Sequence, residues 1–219
     1  MQSGLRRSLV VLAAAAIAVS GIVLTAGASR ATASFAFTRY AGDDRYDTAA
    51  KVAVDTFGTA DSVIIASGLT YADALAGAYA AGQSGIPVLL TAANSLPAPT
   101  STALTTLKTT KAIIVGGTAS VGPGVESALR AKGITPSRIA GANRYATAYE
   151  IATDNGPAGV GKVGDDTKPA ALLVSGENFP DALSAGPLSF AAHLPILLTT
   201  SATLSPTPRR RCRSLRSPA

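Results

Sequence analysis

The feature that most constrains this chain is that it contains most of itself twice. Arg39-Tyr40-Ala41-Gly42-Asp43-Asp44-Arg45-Tyr46-Asp47-Thr48-Ala49 returns 99 residues later as Arg138-Ile139-Ala140-Gly141-Ala142-Asn143-Arg144-Tyr145-Ala146-Thr147-Ala148. Ser67-Gly68 and Asp73-Ala74-Leu75 return as Ser175-Gly176 and Asp181-Ala182-Leu183, and Pro87-Val88-Leu89-Leu90-Thr91 as Pro195-Ile196-Leu197-Leu198-Thr199, now at an offset of 108. The difference of nine marks an insertion, and turn chemistry places it in the Gly- and Asp-rich stretch from Asn155 to Lys168. Self-similarity of this kind means one module used in tandem, so both copies must share a fold.

Within the first copy, Val63 to Ala66, Val88 to Leu90 and Ile113 to Val115 are short apolar runs bounded by Gly, Pro or Thr, and they predict buried strands. Between them lie Ala-rich segments of helical length, roughly Tyr46 to Phe57, Ala72 to Ala81, Ser101 to Leu107 and Val125 to Lys132. Alternating strand and helix gives an α/β fold with a parallel sheet covered on both faces and right-handed crossovers. Asp43 or Asp44 is placed to cap the first helix. The second copy follows the first as far as Thr199, and then the counterpart of the third strand does not appear; Thr203-Leu204-Ser205-Pro206-Thr207-Pro208 runs into Arg209-Arg210-Arg211-Cys212-Arg213. The expected organisation is a signal peptide over 1–33, a first repeat over 34–137, a truncated second repeat over 138–205, and a basic tail over 206–219. Without apolar periodicity, that tail is expected to be disordered.

Arg6 and Arg7 precede an uncharged run from Ser8 to Ser29, the layout of a secretory signal. Ala31-Thr32-Ala33 supplies a small-x-small cleavage site and Ala26-Gly27-Ala28 a second one, so the mature chain is expected to begin near Ser34. If uncleaved, the same segment is long enough to anchor in a bilayer. Of 19 Lys and Arg, three lie in this segment and five in the last eleven residues. The folded part is therefore slightly acidic, which argues against a nucleic-acid binder. The single Cys212 excludes an intrachain disulfide and any Cys-based metal site.

The repeated Gly-x-x-Arg-Tyr-x-Thr-Ala, the Asp-Ala-Leu after a strand, the Pro-aliphatic triplet-Thr and the strand ending in Gly116-Gly117 together resemble the type 2 cell-wall-binding repeat of Gram-positive surface proteins. The resemblance covers about Arg39 to Ser205. It implies a noncatalytic module of Rossmann-like topology, carried in tandem by secreted and S-layer-like proteins of the cell envelope. Such modules attach their owners to an anionic wall polymer, usually as a set of three. This chain carries under two copies and no recognisable enzymatic domain, which leaves room for association with itself or with other repeat-bearing chains. No cofactor is implied.

Arg45 and Arg144 occupy equivalent places ahead of small polar positions at Thr48 and Thr147, taken as capping residues. A guanidinium fork suits phosphate or carboxylate groups of a polymer. The competing expectation is an internal ion pair with Asp73 or Asp181, since those residues also recur. Ser67-Gly68 and Ser175-Gly176 fall at strand ends, where parallel α/β sheets bind ligands and backbone amides hold anions. A serine nucleophile would make the chain a small secreted wall hydrolase, the alternative reading. Against it, His193, the single histidine, has no counterpart in the first copy. Gly116-Gly117 does not complete a dinucleotide-binding spacing and reads as a tight strand-to-helix turn.

Overall fold

A computed structural model of the chain describes residues 38–154, 160–162, 168–178 and 180–201. The expected signal segment with its two cleavage candidates, most of the expected Asn155–Lys168 insertion, the basic tail with Cys212 and the side chain of Asp181 lie outside the described residues.

Strand and helix alternate as expected. The first copy runs α1 (Arg45–Phe57), β1 (Ser62–Ser67), α2 (Tyr71–Ser84), β2 (Val88–Thr91), α3 (Ala98–Thr106), β3 (Lys111–Val115) and α4 (Pro123–Ala131). Then follow β4 (Thr135–Ile139), α5 (Arg144–Thr153), β5 (Leu172–Ser175), α6 (Pro180–Ala192) and β6 (Ile196–Thr199). Four parallel strands form one sheet in the order β2-β1-β3-β4, and β5 and β6 pair in parallel as a second. The order reverses between β1 and β3, the switch point at which open α/β sheets bind ligands beyond the strand ends.

Helix starts follow the sequence chemistry. Asp44 caps α1, its side chain accepting from the Asp47 N–H, and Asn143 caps α5 by accepting from the Ala146 N–H. Thr48 and Thr147 are therefore not caps, which corrects the sequence expectation. They sit inside the first turn, where each hydroxyl accepts from the Gly42 or Gly141 N–H at 3.0 Å and ties the glycine turn to its helix.

Strand β4 was not predicted, because Thr135-Pro136-Ser137-Arg138-Ile139 is too polar to look like a buried strand. It is an edge strand, where proline is tolerated, and side-chain bonds fix it. Arg138 donates from Nε and Nη2 to Glu126 Oε1 at 3.0 and 2.6 Å, and from Nη1 to the Gly116 carbonyl at 2.6 Å. By sequence, Arg138-Ile139 opens the second copy, yet its backbone pairs with β3 of the first. The copies are thus stitched together by a shared sheet.

They also share a core. Alternate residues of β1 face opposite ways. Val63 and Ile65 pack with Ala53, Leu104, Val125 and Leu129 on one side of the sheet. On the other, Ile64 and Ala66 join Ala72, Ala76 and Tyr79 of α2 in a cluster that continues into Ala148, Ile151, Ile196 and Leu198 of the second copy. Helix α2 is therefore enclosed by both copies, and its Ala- and Gly-rich sequence follows from that. A helix buried all round has no polar face, and small residues let its neighbours come close. At Gly82 an added Cβ would collide with the backbone of Phe190 on α6.

Gly82→Val is accordingly expected to destabilise the protein by about 1–3 kcal/mol, the usual cost of overpacking. Urea denaturation followed by circular dichroism measures it. Unchanged stability would mean that the two copies do not pack as tightly here as described.

Candidate functional site

The repeated sequence motifs turn out to hold one another. Arg45 Nη1 donates to the Gly68 carbonyl at 2.5 Å, and Arg144 Nη1 donates to the Gly176 carbonyl at 2.7 Å. The neighbouring tyrosines lie against the same glycines: a Cβ at Gly68 would stand 2.5 Å from Tyr46 Cε1, and one at Gly176 would stand 2.6 Å from Tyr145 Cε1. In each copy, then, the Arg-Tyr pair of the helix start clamps the Ser-Gly turn at the strand end. The serines are engaged too. Ser67 Oγ accepts from the Leu69 and Thr70 N–H groups, and Ser175 Oγ from those of Glu177 and Asn178.

The expected ion pair inside one copy is not made by Arg45 and Asp73; Arg45 goes to a carbonyl instead. Asp73 interacts electrostatically with Arg144, which comes from the other copy. An Arg and an Asp that both recur thus line one cavity from opposite sides of a junction, within electrostatic reach of each other. Tyr71 marks the same boundary, with its hydroxyl 3.4 Å from the Gly176 carbonyl and the Arg144 guanidinium 5.8 Å from its ring centre.

At this junction lies a cavity of about 320 Å³, lined by residues that follow β1 (Thr70, Asp73), β3 (Gly117, Ser120) and β4 (Gly141, Asn143, Arg144, Thr147). It sits at the switch point of the sheet and beyond it, against the start of α5. Asp73 is buried, and burial raises its carboxyl above the ordinary value of 3.8, opposed by a hydrogen bond with Ser120 and by the charge of Arg144. Gly116, at φ 106°, makes room for that carboxylate; a side chain there would strike Asp73 Oδ2. The turn reading of Gly116-Gly117 therefore holds, and the reason is the close approach of Asp73 to Gly116. Arg45 does not reach this cavity. It lines a separate, mostly apolar groove of about 400 Å³ with Leu69, Leu75 and Leu183.

Sequence reasoning missed Ser120, Tyr71 and the composite character of the cavity. The signal that pointed to it was present: Arg and Asp recur with different offsets, so nothing required them to meet within one copy. His193 stands just after α6 at φ 55°, in the place that Gly85 takes after α2 at φ 62°. It is a helix terminator in a left-handed conformation, and its carbonyl accepts from the Gly161 N–H at 2.7 Å. Among the described residues there is no cluster of three or more His, Cys, Asp or Glu able to hold a metal, and no helix is long and apolar enough to cross a membrane.

Residues 39–126 and 138–213 each match the family described as Cell wall binding domain 2 (CWB2). Among curated proteins of Bacillus subtilis (strain 168), the chain is 33% identical to the N-acetylmuramoyl-L-alanine amidase LytC over 76% of its own length and 32% of that protein's. It is 31% identical to the amidase enhancer over 74% of its length and 21% of that protein's. It thus spans a third or less of either relative. Among solved structures, Cwp8 from Clostridium difficile matches with a TM-score of 0.65 at 29% identity, over 77% of this chain and 28% of that one. Cwp6 from the same organism matches in fold with a TM-score of 0.68 at 21% identity, over 85% of this chain and 30% of that one. With both copies matched over most of their length, the chain belongs to the cell wall binding domain 2 family.

Proposed function

We propose that this cell-wall-binding chain is exported, attaches to an anionic saccharide polymer of the wall through the cavity between its two copies, and performs no catalysis. The observation that carries the reading is the composition of that cavity. The Arg144 guanidinium and the start of α5 favour a negative group. The buried Asp73 carboxylate is an acceptor for a sugar hydroxyl. A repeating unit with both hydroxyls and an acidic substituent matches the pair. In this reading Arg45, Ser67, Gly68, Ser175 and Gly176 shape the strand-end turns, and Arg144 both clamps and binds.

The hydrolase alternative asks Ser67 or Ser175 to act as a nucleophile with His193 as base. Both hydroxyls already accept backbone N–H groups, and His193 occupies a position that a glycine fills in the other copy. The amidase named among the relatives is matched over a third of its length, so its activity is not carried over to this chain.

Three outcomes test the proposal. Loss of one charge-assisted hydrogen bond costs about 1.5–3 kcal/mol, so Arg144→Gln should weaken binding to purified walls about tenfold or more, while Arg45→Gln should weaken it far less. Binding by the wild type should also fall as salt rises, because screening shortens the reach of such contacts. Equal losses for the two variants, or retention independent of salt, would count against the cavity.

The second outcome concerns Asp73. Its folded-state pKa is raised, so the ionised form is the one that folding disfavours. That penalty is absent below the unfolded value of 3.8 and fully present above the folded value. Relative to Asp73→Asn, the wild type should therefore lose stability as the pH rises from 3.8 toward neutrality, read from urea midpoints of both proteins across pH. A gap that moves the other way contradicts the burial of this carboxylate.

Third, His193→Gly should leave wall binding unchanged and stabilise the fold by about 1 kcal/mol, since glycine adopts the left-handed conformation without the Cβ penalty. A loss of stability would mean that the imidazole has a role the geometry does not show.

A further inference from the structure

The internal repeat allows each exposed surface to be compared with its counterpart at the junction. On α2, the residues that face the second copy are enclosed: Leu75 is 8% exposed, Ala80 7% and Tyr79 fully buried. Their counterparts on α6, 108 residues later, are Leu183 at 59%, Leu188 at 50% and Pro187, also exposed. The other side of the junction behaves alike. Ile151 of α5 is 2% exposed where it packs against the α2 cluster, whereas its counterpart on α1, Val52, is 39% exposed.

By repeat position, the two exposed apolar faces correspond to the two halves of the internal junction. The α6 face repeats what α2 presents to the second copy, and the α1 face repeats what α5 brings to α2. We propose that a second copy of this chain docks here head to tail, its α1 face seating on the α6 face of the first molecule as α5 seats on α2 within one chain. The template is the established junction itself, with its shared core and its facing of Arg144 and Asp73. In a docked pair Arg45 occupies the place of Arg144.

Such an interface is heterologous, with different surfaces on the two partners, and this separates it from simple apolar sticking. A heterologous contact either closes into a ring or grows into longer assemblies. Each chain keeps one face free when the other is blocked. That property makes the proposal testable by complementation.

The test is sedimentation velocity of the purified chain over a concentration series, with Val52→Asp and Leu183→Asp, each shown to be folded by circular dichroism. Both substitutions lie at exposed positions; Leu183 also borders the groove with Leu75 and Arg45, so the folding control decides whether its variant keeps the internal junction. The wild type is expected to form concentration-dependent species of two or more chains, and each variant alone is expected to stay monomeric. Mixed in equal amounts, the variants should form a dimer and nothing larger, because Val52→Asp retains a working α6 face and Leu183→Asp a working α1 face. A wild type that remains monomeric at the highest concentration reached overturns the proposal. So do variants that still associate singly, and a mixture that fails to dimerise. Association only with a different repeat-bearing protein also overturns it.

Discussion

The structure depends on burying α2 on two sides at once. One side covers the sheet of its own copy, against Ile64 and Val115; the other meets α5, α6 and β6 of the next. A helix in that position cannot carry a polar face, and its side chains must be small enough for two neighbours to approach. Ala72, Ala76, Gly77, Ala80, Ala81 and Gly82 meet the second requirement, and Tyr79 fills the space that they leave. Each large side chain enclosed here, such as Tyr79 or Ile151, contributes on the order of 1.5–3 kcal/mol through burial. Neither copy holds this core alone.

The site follows from the same arrangement. Because α5 must press its start against the strand ends of the first copy in order to bury Ile151, the Asn143-Arg144 turn arrives beside Asp73, Gly117 and Ser120. A cavity that needs both copies is the result. The Arg-Tyr clamp on each Ser-Gly turn holds the loops that line it, and the Arg138 bonds to Glu126 and Gly116 hold the strand that leads into it. Stability and binding geometry are therefore set by one set of contacts. This is why the repeated residues are mostly ones that grip backbone and few that point freely outward.

Much of this was legible in the sequence. The apolar runs at Val63, Val88 and Ile113 gave their strands because a strand buried on both faces is apolar throughout, and the 99- and 108-residue offsets gave the tandem. Most of what stayed hidden depended on contacts between copies. Strand β4 is polar and carries Pro136, so it forms only because β3 offers an edge and Glu126 offers a partner for Arg138. Asp73 looked like a partner for the arginine of its own copy, since nothing in one linear module says that its charge lies near the next. Thr48 and Thr147 looked like caps, and the caps lie four residues earlier at Asp44 and Asn143. The first two partners could not be named without the junction, and the third needed the local geometry of each helix start.

The central claim is that a wall polymer is held where the two copies meet. Titrating the isotope-labelled protein with a soluble fragment of the anionic wall polymer, while following backbone amide resonances, tests it most directly. The account expects the largest shifts at Gly117, Ser120, Asn143 and Arg144, two residues from each side of the junction, moving together with a single affinity. Shifts confined to one copy, or centred on the outer groove between α1 and α3 around Val54 and Thr102, would contradict it.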